Sequence, residues 1–305
     1  MASMTSHVIE SSSNPARTID KKKREPVMLV KTPDAALHPF DRATQVSVED
    51  GRWHGASSDS YFAFVGQFGG ITAATMLRAI MEHPDCAGDP LSITVNLCAP
   101  VASGTFDLDM RLIKATRATQ HWFIELSQGD SGVVAFATAV FAVRRPSWSH
   151  QSATFPSAPP FDETPALPER GLANWVSKYQ FRFVDGAPDY DKAALNGQPG
   201  SAFSKMWLSD AIPRRIDFLS LLSMSDTFFA RIFHVRGELV PIGTVSITTV
   251  FHADAADLAA EDTTMVLGAA DASIFHKSFS DQTGQLWSPG GRLLATTSQV
   301  VYFKA

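Results

Sequence analysis

A short segment of this chain occurs twice. Pro90 to Ala99 reads PLSITVNLCA and Gly243 to Ala253 reads GTVSITTVFHA, and both carry Ser-Ile-Thr, as Ser92-Ile93-Thr94 and Ser246-Ile247-Thr248. Each copy follows a helix-like apolar segment, and each is followed by strand-like runs that end its half. The spacing from Ser92 to Ser246 far exceeds the roughly 20–50 residues of a solenoid unit. It implies two copies of one small domain fused in a single chain, and 305 residues suffice for two domains of ordinary size. Where the copies differ in polar residues, the difference points to the chemistry.

Thr44 to Val48 alternates like a strand. Gly69-Gly70 then opens Ile71 to Met81, whose Ala, Leu and Met content predicts a buried helix stopped by Pro84. Strand-like runs follow at Ser92 to Leu97, Thr105 to Ile113, His121 to Ser127 and Val133 to Val143, the last apolar on both faces and so predicted central. The pattern restarts with strands at Phe181 to Phe183 and Lys205 to Leu208. A second apolar helix is expected over Asp217 to Phe233, and strands over Thr244 to His252, Thr264 to Leu267, Ala272 to Ser280 and Arg292 to Phe303, with Gly284 and Gly290-Gly291 as turn signals. Strand, helix, then a run of antiparallel strands makes an α+β layer, one long helix on a curled sheet, built twice.

Residues 1–30, with Pro15, Pro26 and the run Lys21 to Arg24, read as a solvated tail. The first domain is expected over 31–146 and the second over 176–305. Residues 147–175, with Pro156, Pro159, Pro160, Pro165 and Pro168, form a proline-rich linker.

Composition excludes several classes. The apolar fraction is 45%, the charged fraction 19% and the formal charge −5, with no basic patch beyond the tail, which argues against nucleic acid as a partner. Cys86 and Cys98 lack metal or redox spacing and read as free thiols in a reducing compartment. No apolar run approaches the ~18 residues of a membrane span. With no apolar signal-peptide core and no peroxisomal Ser-Lys-Leu ending, a cytoplasmic protein is expected. A serine-hydrolase elbow, a phosphate-binding loop, a dinucleotide fingerprint and a zinc-type histidine pair are all missing.

The order of elements, Gly69-Gly70 at the first helix, the Ser225-Asp226 pair, the strand ending Phe251-His252-Ala253 and the terminal GRLLATTSQ of Gly291 to Gln299 together resemble the acyl-CoA thioesterase II family. That resemblance covers most of residues 45–305 and implies a double hotdog: two fused antiparallel sheets, each wrapped around a long central helix. It implies hydrolysis of an acyl thioester by a water held and activated by an Asp, a Thr and a Gln. Matched residue by residue, these are Asp226, Thr244 and Gln299. Gly69, Gly70, Met224, Phe228 and Phe229 are the implied substrate-binding residues. The chemistry needs an oriented water, a base and an oxyanion donor, and no metal. No cofactor is implied beyond the coenzyme A or phosphopantetheine of the substrate. The implied partners are a small acyl thioester, an acyl carrier protein as an alternative donor, and a second copy in a homo-oligomer. Hotdog hydratases place a His five residues after the Asp; here that position is Arg231.

Superposing Ser246 on Ser92 sets Thr244 opposite Pro90, and aligning the last strands sets Gln299 opposite Ala139, so the first half lacks two of the three polar groups. Plainer readings stand beside the functional ones. Asp226 could be a structural hydrogen-bonder, Thr244 a packing residue and His252 a structural strand-end histidine; Arg117 could cap a turn, and Trp122 and Trp207 could be core. A second function also stays open: a hotdog protein that binds an acyl or polyketide-like ligand, or carries out cyclisation or transfer on it.

Overall fold

The computed structural model describes residues 37–168 and 173–304. The expected tail, residues 1–30, lies outside the described residues. The first half contains α1 (Pro39–Ala43), β1 (Val46–Glu49), β2 (Arg52–Ala56), α2 (Gly69–Glu82), β3 (Asp89–Leu97), β4 (Thr105–Ala115), β5 (Thr119–Ser127) and β6 (Val133–Ala142). The second contains β7 (Tyr179–Asp185), β8 (Ser204–Asp210), α3 (Phe218–Met224), α4 (Arg231–Arg236), β9 (Ile242–Phe251), α5 (Ala255–Glu261), β10 (Met265–Asp271), β11 (Phe275–His276), β12 (Phe279–Trp287) and β13 (Leu293–Phe303).

The strands form one antiparallel sheet in the order β1-β2-β4-β5-β6-β3-β9-β13-β12-β10-β8-β7, with β11 paired to β12. Both halves therefore have the same strand order, run outward from a shared seam between β3 and β9. The Ser-Ile-Thr repeat is that seam. Thr94 pairs with Thr248, Ser92 with Val250 and Asn96 with Ser246, a register symmetric about the two threonines. Their hydroxyls meet at 2.9 Å. Each half also carries the same irregularity: the register skips Leu91 where β3 meets β6, and Val245 where β9 meets β13. A duplicated domain joined edge to edge satisfies both edge strands at once.

The core lies between the sheet and the helices. In the first half α2 buries ten of its residues, from Gly70 to Ile80, and packs on α3. The second half departs from expectation. Asp217 to Phe233 is not one helix: α3 stops at Met224, and the chain turns through 225–230 before α4 begins. Three consecutive residues cause the break. The Ser225 hydroxyl donates to the Leu221 carbonyl and the Thr227 hydroxyl to the Met224 carbonyl, while the amides of Asp226 and Thr227 tighten onto residues three back. Side chains that bond the backbone locally compete with helix propagation.

The turn is held from the far side by Arg231, which is buried. Its guanidinium donates to the carbonyls of Phe229 and Ala202 and to the Ser204 hydroxyl. Arg231→Met is expected to cost about 2–4 kcal/mol, because it strands buried acceptors. Urea denaturation of the variant measures this. Arg231→Lys should recover little, since one ammonium cannot reproduce the fork.

A second departure concerns Ala272 to Ser280, expected as a strand. It is a tight hairpin instead: Lys277 and Ser278 have φ of +46° and +67°, and the Asp281 carboxylate accepts from the amides of Ser273 and Ile274. The strand proper is β12, and Gly284 lies inside it rather than in a turn. Gly290-Gly291 does form a turn. Residues 153–167 of the proline-rich stretch lie along the second half of the sheet. Trp207 donates to the Pro159 carbonyl, and Phe155 meets Trp287 edge-on.

Candidate active site

The break after α3 aims Asp226 away from its own half. Its carboxylate reaches the start of α2, where the Gly70 amide faces it and pulls its carboxyl down. Among the described residues no side chain of its own half caps α2, whose N-cap is Phe68. The carboxylate of Asp226 instead faces that helix end from across the seam, where the helix dipole favours negative charge. Gly69 makes the approach possible: a Cβ there would lie 2.8 Å from Asp226 Oδ2 and 2.9 Å from Leu97 Cδ1.

Two strands supply the remaining groups. Gln299, on the interior strand β13, donates from Nε2 to Asp226 Oδ1 and to the Ser225 carbonyl, both at 3.1 Å. Thr244, on β9, points its hydroxyl at the same Oδ1 from 3.5 Å. The three residues matched from sequence therefore converge on one carboxylate. Asp226 is buried, and burial pushes its carboxyl up to about 7 against the opposing pull of the Gly70 amide, Gln299 and Thr244.

A fourth polar residue was not anticipated. Gln282 of β12 is the register partner of Gln299 and donates from Nε2 to Gln299 Oε1 at 3.1 Å. The direction is forced. The Ser225 carbonyl can only accept, so Gln299 must turn its amide nitrogen to it and to the neighbouring Asp226, and its oxygen to Gln282. Alternation along β12 puts Gln282, Gly284 and Leu286 on one face, a signal available in the sequence had that strand been placed correctly.

These groups open onto a cavity of about 360 Å³. Its buried wall includes Phe68, Phe228, Phe229 and Phe233 together with Gln282, while its rim carries exposed Phe64, Val65 and Leu239. Trp175, from the end of the proline-rich stretch, stacks on Phe68 at 4.3 Å and closes one side. Of the anticipated substrate-binding residues, Gly69, Phe228 and Phe229 line the cavity. Gly70 does not, though its amide meets Asp226. Met224 is fully buried in the core and is not among the lining residues. In an unbroken helix Met224 and Phe228 would share a face; the turn separates them.

The other half has no counterpart. Its strands place Ala139 where Gln299 stands, beside Ile93 as Gln299 is beside Ile247, and Pro90 where Thr244 stands. Trp122 pairs with Ala139 as Gln282 pairs with Gln299. Trp122 is buried, so an indole fills the space that a polar pair lines in the second half. Among the residues weighed as alternatives, His252 bonds Thr296 and is absent from the cavity lining. Arg117 lies exposed in the Thr116–Thr119 turn. Trp207 belongs to the packing of the proline-rich stretch. Among the described residues no cluster of three or more His, Cys, Asp or Glu gathers as for a metal, and no helix is long and apolar enough to cross a membrane. Both cysteines are free.

Family models of the acyl-CoA thioesterase N-terminal and C-terminal domains match residues 58–142 and 153–303. No curated protein matches the chain. Among solved structures, a hotdog protein of unknown function from Alicyclobacillus acidocaldarius is 39% identical, with a TM-score of 0.82, over 88% of this chain and 99% of its own. An acyl-CoA thioesterase II from Mycobacterium marinum superposes with a TM-score of 0.67 at 18% identity over 87% of this chain and 98% of its own. A tesB protein from Mycobacterium avium subspecies paratuberculosis gives 0.68 at 16% over 87% and 98%. At these lower identities the likeness is one of fold, the double hotdog. With both domain models matched in order over most of its length, the chain belongs to the acyl-CoA thioesterase family of thioester hydrolases.

Proposed function

We propose that the protein hydrolyses acyl-coenzyme A thioesters with Asp226 as general base. The observation that carries this reading is the convergence of Thr244 and Gln299 on the buried carboxylate of Asp226 at the wall of a largely apolar cavity. The acyl group enters the apolar depth and the coenzyme arm leaves by the rim. A water held between the Thr244 hydroxyl and Asp226 gives its proton to the carboxylate as its oxygen attacks the thioester carbonyl carbon. The tetrahedral oxyanion is met by the backbone amide of Gly69 at the start of α2, where Gly69 lines the cavity and the next amides are committed elsewhere. Collapse breaks the carbon–sulfur bond, and the proton held on Asp226 passes to the departing thiolate, leaving free acid and free thiol. Both amide protons of Gln299 are committed to Asp226 and Ser225, so its part is to aim the carboxylate rather than to hold the water.

The test is a panel of acyl-CoA esters of increasing chain length, with the same acyl groups on a phosphopantetheinylated carrier protein, read by thiol release. Turnover of coenzyme A esters is expected. Release from the carrier alone would move the substrate to carrier-bound acyl groups, and no release from either would end the hydrolytic reading.

A further inference from the structure

We propose that Phe228 is the floor of the acyl pocket and sets the longest acyl chain the enzyme accepts, an inference that rests on the thioesterase reading above. The cavity has a direction. Its rim residues Phe64 and Val65 are 71% and 75% exposed, whereas Phe228 is 4% exposed, and Asp226 and Gln299 lie along the wall with it. A thioester whose carbonyl sits at Asp226 with its coenzyme arm at the rim must send its acyl chain toward the buried end.

That end is made by one ring seated in a notch in the sheet. A Cβ on Gly268 of β10 would come within 2.8 Å of Phe228 Cε1 and 2.9 Å of Cζ. A Cβ on Gly284 of β12 would come within 2.8 Å of Phe228 Cε2. The outer edge of the ring therefore occupies the room that two missing side chains leave on adjacent paired strands. Neither glycine has a positive φ, so no turn requires them; the ring does. Leu208 and Thr297 pack beside the two positions, and Gly268, Gly284, Leu208 and Thr297 are not among the cavity lining. The ring separates the cavity from the sheet behind it. Removing it would join the notch to the cavity, and the acyl chain would gain a phenyl group's worth of depth.

Because the ring and the two glycines fit each other, substitutions on either side should move chain-length preference in opposite directions. Phe228→Ala deepens the pocket. Gly284→Ala pushes the ring into it, since a contact under 3.0 Å forces something to shift and β12 is paired on both sides. The experiment measures kcat/KM over a saturated acyl-CoA series. It also measures calorimetric binding of the corresponding non-cleavable thioethers, which is independent of turnover. The expected result is an optimum displaced to longer chains in Phe228→Ala, with the first homologues beyond the wild-type limit gaining roughly tenfold or more relative to the wild-type optimum. In Gly284→Ala the optimum moves to shorter chains. Should Phe228→Ala fold poorly, Phe228→Leu gives a smaller shift in the same sense. The double variant Phe228→Ala/Gly284→Ala should fold better than Gly284→Ala, because the 2.8 Å contact with the ring is then gone and only Thr297 Cγ2, at 2.9 Å, must give. Length profiles that coincide with wild type in both rate and binding would overturn the assignment. A wild type that binds the thioethers but releases no thiol would instead overturn hydrolysis, with the binding profiles still deciding the role of Phe228.

Discussion

Asp226→Asn is expected to lower thioester hydrolysis by roughly 10²–10⁴-fold, the usual worth of a positioned general base. Asparagine keeps the shape, and its oxygen can still accept from Gln299 and Thr244, so the basicity is the principal loss. The wild-type rate should carry the signature of the group removed. With the carboxyl raised from 3.8 to about 7, kcat/KM should climb close to tenfold per pH unit below about 7 and level off above it. The same shift fixes the sign of a stability effect. Between the ordinary carboxyl value and about 7, the folded protein holds a proton that the unfolded chain has released. The stabilisation this gives is complete below about pH 4 and is lost as pH rises through 7, where the buried charge costs on the order of 4 kcal/mol by the size of the shift. Asparagine has no charge to bury. The variant should therefore match wild type near pH 4 and exceed it increasingly up to pH 8, as followed by denaturant midpoints. A stability difference that ignores pH, or a rate insensitive to the substitution, would remove Asp226 from the mechanism.

Much of the fold was legible because duplication writes a structure twice. Ser92-Ile93-Thr94 and Ser246-Ile247-Thr248 turned out to be the two sides of the seam, and their register carries the same bulge on both sides. The alignment they support correctly set Ala139 against Gln299 and Pro90 against Thr244. Illegible parts have identifiable causes. Asp217 to Phe233 is so apolar that it reads as helix, yet the Ser225 and Thr227 side chains compete for the backbone on either side of Asp226, and that competition decides the outcome. A continuous helix would also turn Met224 to the pocket beside Phe228. Similarly, β2 went unseen because it is short and interrupted by Gly55, although Asp50-Gly51, both at positive φ, is a strong hairpin signal. Misreading Gly284 as a turn hid the notch under Phe228 and, two residues earlier, Gln282.

Gln282 supports the second large prediction. It makes no hydrogen bond to Asp226; it holds Gln299 in the one orientation that serves Asp226. Gln282→Leu leaves Gln299 Oε1 buried without a donor, so the amide is free to turn and the carboxylate loses its aim. A misplaced reacting group can cost up to about 10²-fold, and the loss should fall on kcat with KM little changed. A merely structural role would stop there. A positioning role must also move the pH profile, since the Gln299 hydrogen bond is one of the contacts holding the Asp226 carboxyl down against the effect of burial. The midpoint of the rate should shift to higher pH in Gln282→Leu. It should shift further in Gln282→Glu, because an ionised glutamate accepts only; it would draw the Gln299 nitrogen to itself and leave that amide's oxygen facing the carboxylate. Gln282→Leu combined with Gln299→Ala should be no worse than Gln299→Ala alone, since one residue acts only through the other. An unmoved midpoint in both single variants, or additive losses in the double variant, would reduce Gln282 to a packing residue.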